Sequence, residues 1–365
     1  MKNLFVDVHV LQSVPPSCLN RDDTNSPKTA IYGGARRARV SSQSWKRAMR
    51  LMFKEYFDPS ELSMRTKYVF SFVADEIQKM SPELSREEAL RKAELALADI
   101  GLKPSTKKGK EKDSEKGKES ESDVLFFMSK QQARNIAALA LGEVDKKALK
   151  KALKEGNGVD IALFGRMVAD DVTLNCEASA QVAHAISTHR VENEYDFFTA
   201  VDDFASEMQD HAGGGHLGTV EYNSATLYRY ATLAAHKLYI ELANDPAALE
   251  KAIREFVRAF ICSIPTGKQN TFAAHTVPDA VLVTIRSDRP LSLAGAFEKP
   301  VSGEGLAERS AKALETYAID AYEDFCIKPD ASYIVGRYLE KLGNRMPLDE
   351  MLKRVSQDAA ARVTS

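Results

Sequence analysis

From Thr24 to Lys54 the chain contains no Asp or Glu, yet it holds eight Lys or Arg residues: Lys28, Arg36, Arg37, Arg39, Lys46, Arg47, Arg50 and Lys54. The whole 365-residue chain has a formal net charge of -2, so this stretch is a local concentration of positive charge. Such segregation within a near-neutral chain points to a site for a polyanion. The second half of the stretch also constrains the fold. Trp45, Ala48, Met49, Met52, Phe53 and Tyr56 fall at i, i+3, i+4, i+7, i+8 and i+11, one apolar stripe that predicts a helix over 42–57. A helix of that kind must bury its stripe in a core, and Lys46, Arg47, Arg50 and Lys54 are then expected to project outward together. Ser41 or Ser42 can cap it. The first half, with Gly33-Gly34 leading into Arg36-Arg37-Ala38-Arg39, reads as a flexible basic loop.

The length suggests about two domains. A content of 44% hydrophobic and 28% charged residues is enough for ordinary globular cores. The longest apolar runs fall far short of the roughly 18 residues that a membrane span needs, so no membrane contact is expected. The start, Met1 to Asp7, has no signal-peptide pattern. Cys18, Cys176, Cys262 and Cys326 are scattered and form no CxxC. Neither a zinc site nor a disulfide framework is expected, and the reading is of a reduced, cytoplasmic protein with no metal and no cofactor.

Along the chain, residues 3–12 alternate, with Leu4, Val6, Val8 and Val10 on one face and Asp7 and His9 on the other, as in a half-buried strand. A loop through Pro15-Pro16 follows. Ser81-Pro82 is expected to open a helix that runs to Ile100. Residues 103–123 are almost all Lys, Glu, Ser, Asp and Gly and read as an exposed disordered loop. Ser129 with Gln132 forms a capping box. A helix from Asp145 to Glu155 stops at Gly156. Val159 to Met167 reads as a short strand and turn, and 179–191 fits strand or helix equally. Tyr195 to Val201 and the run from Thr219 to Tyr230 look like a long hairpin with a glycine-rich return at Gly213–Gly218. A helix over about 246–264, a loop at 266–271, a buried strand from Ala280 to Arg286 and two amphipathic helices complete the chain. No internal repeat is visible. The pattern is α+β with inserts, and a ferredoxin-like or RRM-type core fits it because that core needs only four strands and two helices.

A charge run is most often a solvated face. Here interleaved Ser and Gln residues and a helix N-terminus accompany the arginines, and these are the groups that bind phosphate oxygens, so a nucleic-acid backbone site is favoured. Gly213-x-Gly215-x-x-Gly218 matches the dinucleotide fingerprint literally, but an acidic segment precedes it and a β-like one follows, so that reading is rejected. Tyr195, Phe197 and Phe198 fit either a core or a base-stacking surface. Leu217, at a glycine-rich tip, is a candidate wedge. The pairs Asp22-Asp23, Asp170-Asp171 and Asp202-Asp203 read by default as solvated loops. The rival reading is metal-assisted phosphodiester hydrolysis, with Asp22-Asp23 beside Arg21 as its best site. No GxSxG, no P-loop and no metalloprotease histidine spacing is present.

Ser17 to Asp23, Ile31-Tyr32-Gly33-Gly34 and Arg36 to Arg50 closely resemble the CasC-type backbone subunit of the type I-E CRISPR Cascade complex. So do Val159 to Met167, Ala183 to His189, Phe197 to Asp203, His216 to Thr219 and Tyr228-Arg229-Tyr230, in order along nearly the whole chain. The resemblance implies an α+β fold with a modified RRM/ferredoxin-like palm, a large helical insertion (fingers) and a β-hairpin thumb. Its implied boundaries are palm at 1–57, fingers at 58–183, a short palm return at 184–194, thumb at 195–223 and palm again at 224–365. It further implies a non-catalytic CRISPR RNA-binding subunit. The expected partners are CRISPR RNA, target DNA through guide pairing, further copies of itself head to tail and other Cascade subunits. By position, Arg21, Ser41, Gln43, Lys46, Arg47 and Arg50 would hold phosphates. Met167 would wedge between bases, Phe198, Thr199 and Leu217 would supply the thumb's insertion, and Lys268 and Gln269 would contribute from a palm loop. Phe197 stands where some relatives carry an indole. Arg36, Arg37 and Arg39 would serve RNA, DNA or a neighbouring subunit. The alternative implied role is a related backbone subunit that cuts target RNA with the acidic loop at Asp22-Asp23.

Overall fold

A computed structural model describes residues 2–105, 121–123, 125–142, 145–168, 172–200 and 216–365, without the side chains of Ala200, His216 and Leu217. Most of the charged tract, the glycines at 213–215 and the pairs Asp170-Asp171 and Asp202-Asp203 lie outside the described residues. The strands in chain order are β1 (Phe5–Ser17), β2 (Thr29–Tyr32), β3 (Ala35–Val40), β4 (Ser63–Thr66), β5 (Phe126–Ser129), β6 (Ala180–Val182), β7 (Ala185–Ser187), β8 (Glu194–Ala200), β9 (His216–Ala234), β10 (Ala280–Arg286), β11 (Ala331–Gly336) and β12 (Asn344–Arg345). The helices are α1 (Ser42–Tyr56), α2 (Val69–Met80), α3 (Arg86–Ala98), α4 (Lys130–Leu141), α5 (Lys146–Lys154), α6 (Val159–Phe164), α7 (Ala235–Glu241), α8 (Pro246–Cys262), α9 (Gln269–Phe272), α10 (Leu306–Asp324) and α11 (Leu348–Thr364). The architecture is mixed α+β, in two compact units. The first comprises Met1–Met52, Val182–His236 and Ile253–Ser365, and the second Phe53–Gln181 and Lys237–Ala252.

The first unit is organised by β1. It lies between β10 and β9, antiparallel to both, in a sheet of order β12-β11-β10-β1-β9-β7-β3-β2. A central strand is covered on both faces, and this corrects the half-buried expectation: Asp7 and His9 are buried together with Val6, Val8 and Val10. On the Asp7 and His9 side, Leu11, Tyr228, Tyr230 and Leu282 pack with Phe297 and with Ala311, Leu314 and Ala318 of α10. The strand also continues through Pro15-Pro16 to Ser17, where a loop was expected. The register breaks between Val14 and Ser17, as it must where two residues lack an N–H for the ladder.

The basic segment before α1 is a hairpin, not a flexible loop. β2 and β3 pair from Thr29↔Ala38 to Tyr32↔Ala35 around Gly33-Gly34, whose φ values of 56° and 70° suit a two-residue primed turn. Arg37 on β3 is fully buried, so its guanidinium is turned to the fold and not to solvent. Its guanidinium donates to the carbonyls of Ser187 (3.0 Å), Phe297 (2.8 Å), Glu298 (3.2 Å) and Tyr32 (3.3 Å). Charge counting cannot distinguish an arginine of this kind from a phosphate binder.

The second unit is mainly helical. Phe70, Val73 and Ile77 of α2, Ala93 and Leu97 of α3, Ile136 of α4 and Leu149 and Leu153 of α5 share a core with Phe126 and Met128 of β5. The capping box at Ser129 and Gln132 forms as expected, and Asp145 caps α5. Four expectations are corrected. The helix expected from Ser81-Pro82 begins at Arg86, because Ser85 and Glu88 form a capping box of their own. Val159 to Phe164 is a helix, flanked by Gly158 and ended at Gly165 with φ 76°; an unbroken apolar run does not reveal its own period. In the first unit, the loop expected over 266–271 includes the short helix α9, and β11 and β12 lie between the closing helices.

Burial of Asp7 has a consequence for stability. Asp7 accepts hydrogen bonds from the Leu291 amide (2.8 Å) and the Tyr230 hydroxyl (3.1 Å), and burial raises its carboxyl to about 6. Because the folded value lies above the unfolded one, this group favours folding at low pH and loses that contribution as pH rises through about 6. Asp7→Asn is expected to gain about 2 kcal/mol relative to wild type between pH 4.5 and pH 7.5 in urea unfolding. Parallel pH profiles would contradict the assignment.

Candidate nucleic-acid interface

Within the first unit, three separated stretches meet around a groove of about 310 Å3. Its lining includes Asn20, Arg21 and Asn25 from the loop after β1, Ser44, Arg47 and Leu51 from α1, and Pro265, Thr266 and Gly267 from the loop after α8. Ser44, Arg47, Ala48 and Leu51 fall at i, i+3, i+4 and i+7, so they form one face of α1 beside the buried stripe. The stripe itself behaves as the sequence predicts: Trp45, Met49 and Phe53 have no exposed surface, although Tyr56 at its end is exposed.

The N-terminal end of α1 is tied down by side chains. The Ser41 hydroxyl accepts from the Ser44 amide at 3.3 Å, so Ser41 is the cap. The Ser41 amide donates to Asn20 Oδ1 at 2.9 Å, which fixes the 19–25 loop to the helix. The Ser42 amide donates to His184 Nδ1 at 3.2 Å. Burial and then the nearby Arg39 and Lys28 push the His184 imidazole below its usual pKa, in keeping with an acceptor nitrogen. On the opposite wall, a Cβ at Gly267 would lie 2.3 Å from the Leu19 carbonyl oxygen; only glycine permits this approach. Lys268 follows with φ 46°, and Gln269 donates to the Pro265 carbonyl at 3.1 Å.

The expected phosphate contacts therefore divide. Arg21 and Arg47 line the groove, Ser41 caps its helix, Gln43 is exposed beside it, and Lys268 and Gln269 continue the far wall. Lys46 and Arg50 are half-buried, which corrects the expectation that all four helix cations project freely. Burial lowers the Lys46 amine. Arg47 and Lys54 are exposed. Asp22 is committed to its own turn: Oδ1 accepts from the Thr24 amide (2.9 Å), the Thr24 hydroxyl (2.8 Å) and the Ser26 amide (3.0 Å), and the hydroxyl bond leads in lowering its pKa. Among the described residues no group of three or more His, Cys, Asp or Glu side chains is placed to hold a metal. No helix among them is long and apolar enough to cross a membrane.

The β8–β9 hairpin pairs Thr199↔Leu217, Phe198↔Gly218 and Phe197↔Thr219. Tyr195 and Phe197 are 69% and 64% exposed, so they are a surface and not core. The Phe198 ring lies over Gly218, and Thr199 is exposed; the Leu217 side chain is outside the described residues.

Met167 belongs to the second unit and is 87% exposed, extreme for an apolar side chain. Its neighbour Arg166 is buried and donates to the carbonyls of Leu174 (3.2 Å), Phe127 (3.2 Å) and Leu153 (2.8 Å) and to Gln132 Oε1 (3.2 Å). Adjacent residues thus take opposite tasks, one gripping the core and one presented outside. Sequence reading missed Arg166, Asn20, Ser44, Thr266 and His184. Only Ser44 carried a signal, its place one helical turn before Arg47. A second basic surface also escaped it: on α5, Lys146, Lys147, Lys151 and Lys154 are exposed while Leu149 and Leu153 are buried. Arg166→Met leaves several buried acceptors unpaired and is expected to cost about 3 kcal/mol in urea unfolding. A loss below about 1 kcal/mol would show that the loop does not depend on it.

The fold has counterparts among solved structures. A chain of a CRISPR RNA-guided surveillance complex in a pre-nicking state is 33% identical, with TM-score 0.83 over 97% of this chain and 100% of that one. A chain of another CRISPR RNA-guided surveillance complex is 27% identical, with TM-score 0.69 over 96% of this chain and 99% of that one. No curated protein matches. The family model described as CT1975-like protein matches residues 6–357. With a match of that extent, and a CasC-type resemblance that holds along the chain, this protein belongs to the CT1975-like family.

Proposed function

We propose that this chain is a guide-RNA-binding backbone subunit of a CRISPR Cascade surveillance complex. Copies would line up head to tail along one CRISPR RNA and present its bases to target DNA. The observation that carries the reading is the groove in which Arg21, Ser44 and Arg47 face the 265–267 loop, within a stretch free of acids from Thr24 to Lys54. Arginine, serine and helix-terminal amides suit phosphate oxygens and carry no base code, so sequence would be read by pairing and not by the protein. The exposed Met167 and the exposed aromatic hairpin supply apolar groups that could separate stacked bases at intervals. The order β10-β1-β9-β7, with α1 following β1 and α8 following β9, supports the reading of a ferredoxin-like palm. In this reading the chain holds RNA and cuts nothing.

The full chain is expected to bind single-stranded RNA with an affinity that falls steeply with salt. Arg47→Glu should weaken it by roughly tenfold or more and reduce the magnitude of the log-log salt slope by about 0.7, the share of one phosphate contact. Anisotropy of a labelled RNA across a salt series measures both. Wild-type affinity and slope in Arg47→Glu would remove the groove from the account.

A further inference from the structure

We propose that Arg229 is a positioning residue that holds the two walls of the groove in register and so sets how many phosphates a bound strand can touch. The inference rests on the RNA-binding reading and deepens it. Arg229 lies on β9 opposite Val10 and is 1% exposed, so it cannot itself reach a strand. Its guanidinium carbon sits 3.7 Å from the centroid of the Trp45 ring and 4.9 Å from that of Phe260. Nη2 donates to the Phe260 carbonyl. Nη1 donates to Gln12 Oε1 at 2.6 Å and to the Ile261 carbonyl at 3.4 Å.

Each partner belongs to α1, which lines the groove, or to an element that leads into one of its lining loops. Trp45 stands between Ser44 and Arg47 on α1, so fixing its ring fixes the helix face that forms the first wall. Phe260 and Ile261 are at the end of α8, and the chain runs from there directly into Pro265, Thr266 and Gly267 of the second wall. Gln12 Nε2 in turn donates to the Thr276 carbonyl at 2.8 Å, beyond Lys268 and Gln269, so the same network reaches the far end of that loop. One side chain thus touches the helix, the strand that ends at the 19–25 loop and the root of the 265–269 loop. The task needs a planar fork that stacks and donates at once. A lysine offers a point charge without the plane, and an apolar side chain fills the space without holding the carbonyls.

A purely packing role and a positioning role predict different salt behaviour. The slope of log affinity against log salt counts neutralised phosphates, at about 0.7 per contact on a single strand, and does not depend on how much of the protein is folded. The experiment uses the full chain, a fluorescein-labelled single-stranded RNA, anisotropy across a salt series, and thermal melting of each variant. Arg229→Lys is expected to melt cooperatively and to bind roughly tenfold or more weaker. Its slope should be smaller in magnitude by about 0.7 to 1.4, because one or two phosphates are no longer neutralised. A wild-type slope, with affinity reduced only by the folded fraction seen in melting, would overturn the positioning role. Should Arg229→Lys fail to fold, Trp45→Phe keeps the apolar fill while shrinking the stacking surface, and the same slope decides. Absence of salt-dependent RNA binding by wild type would overturn the RNA reading and this inference with it. Wild-type slopes in the folded variants overturn this inference alone.

Discussion

A buried guanidinium between two aromatic rings is the contact on which the first unit turns. Burying an unpaired charge is prohibitive, so Arg229 is tolerable only because an amide and two carbonyls receive its protons while Trp45 and Phe260 lie against it. Desolvation lowers its pKa to about 9, which still leaves it charged at neutral pH. The interaction is demanding in geometry, since the helix, the strand and the end of α8 must all arrive together to satisfy it. Arg37 and Arg286 repeat the device elsewhere in the sheet: Arg37 donates to the carbonyls of Ser187 on β7 and of Phe297, and Arg286 to that of Ile327, all distant in sequence. Buried arginines therefore lock loops to the sheet, and exposed ones remain at the groove.

This division explains which parts of the fold could be read from sequence. The helix over 42–57, the strand from Ala280 to Arg286 and the Ser129–Gln132 box were legible because each depends on local period or local hydrogen bonding. The Gly33-Gly34 hairpin was misread as a flexible loop because the high charge of Ala35 to Val40 masked its strand character. Arg37 and Arg39 look alike in sequence, yet one is fully buried and the other reaches Thr29 and His184. Only pairing with β7, more than a hundred residues away, separates them. Asp7 and His9 read as a solvent face for the same reason: alternation reports polarity, and a central strand buries polar residues when partners such as Tyr228 and Tyr230 are supplied from afar.

The groove was partly legible too. Its cations were visible as a charge island, and Arg47 lies where the helical period places it. On the opposite wall only the resemblance pointed to Lys268 and Gln269, because the close approach of Gly267 to the Leu19 carbonyl leaves no pattern in either segment. The groove lining combines the cations Arg21 and Arg47 with the apolar Leu19 and Leu51, and in the proposed reading the cations would make charge-assisted contacts to a strand's phosphates. Met167 and Phe197 are apolar side chains exposed in the free chain, and in the proposed reading stacked bases would give them a partner. Arg166, next to Met167, is itself held by hydrogen bonds in the core of the second unit.

The central claim is that the chain assembles along a guide RNA. The most direct measurement is the length and end sequence of the RNA that co-purifies with the chain when it is expressed with a CRISPR array and its companion subunits. The account predicts one discrete RNA with repeat-derived ends, carrying several copies of the chain by native mass. RNA of mixed length and origin, or a single copy per RNA, would contradict it.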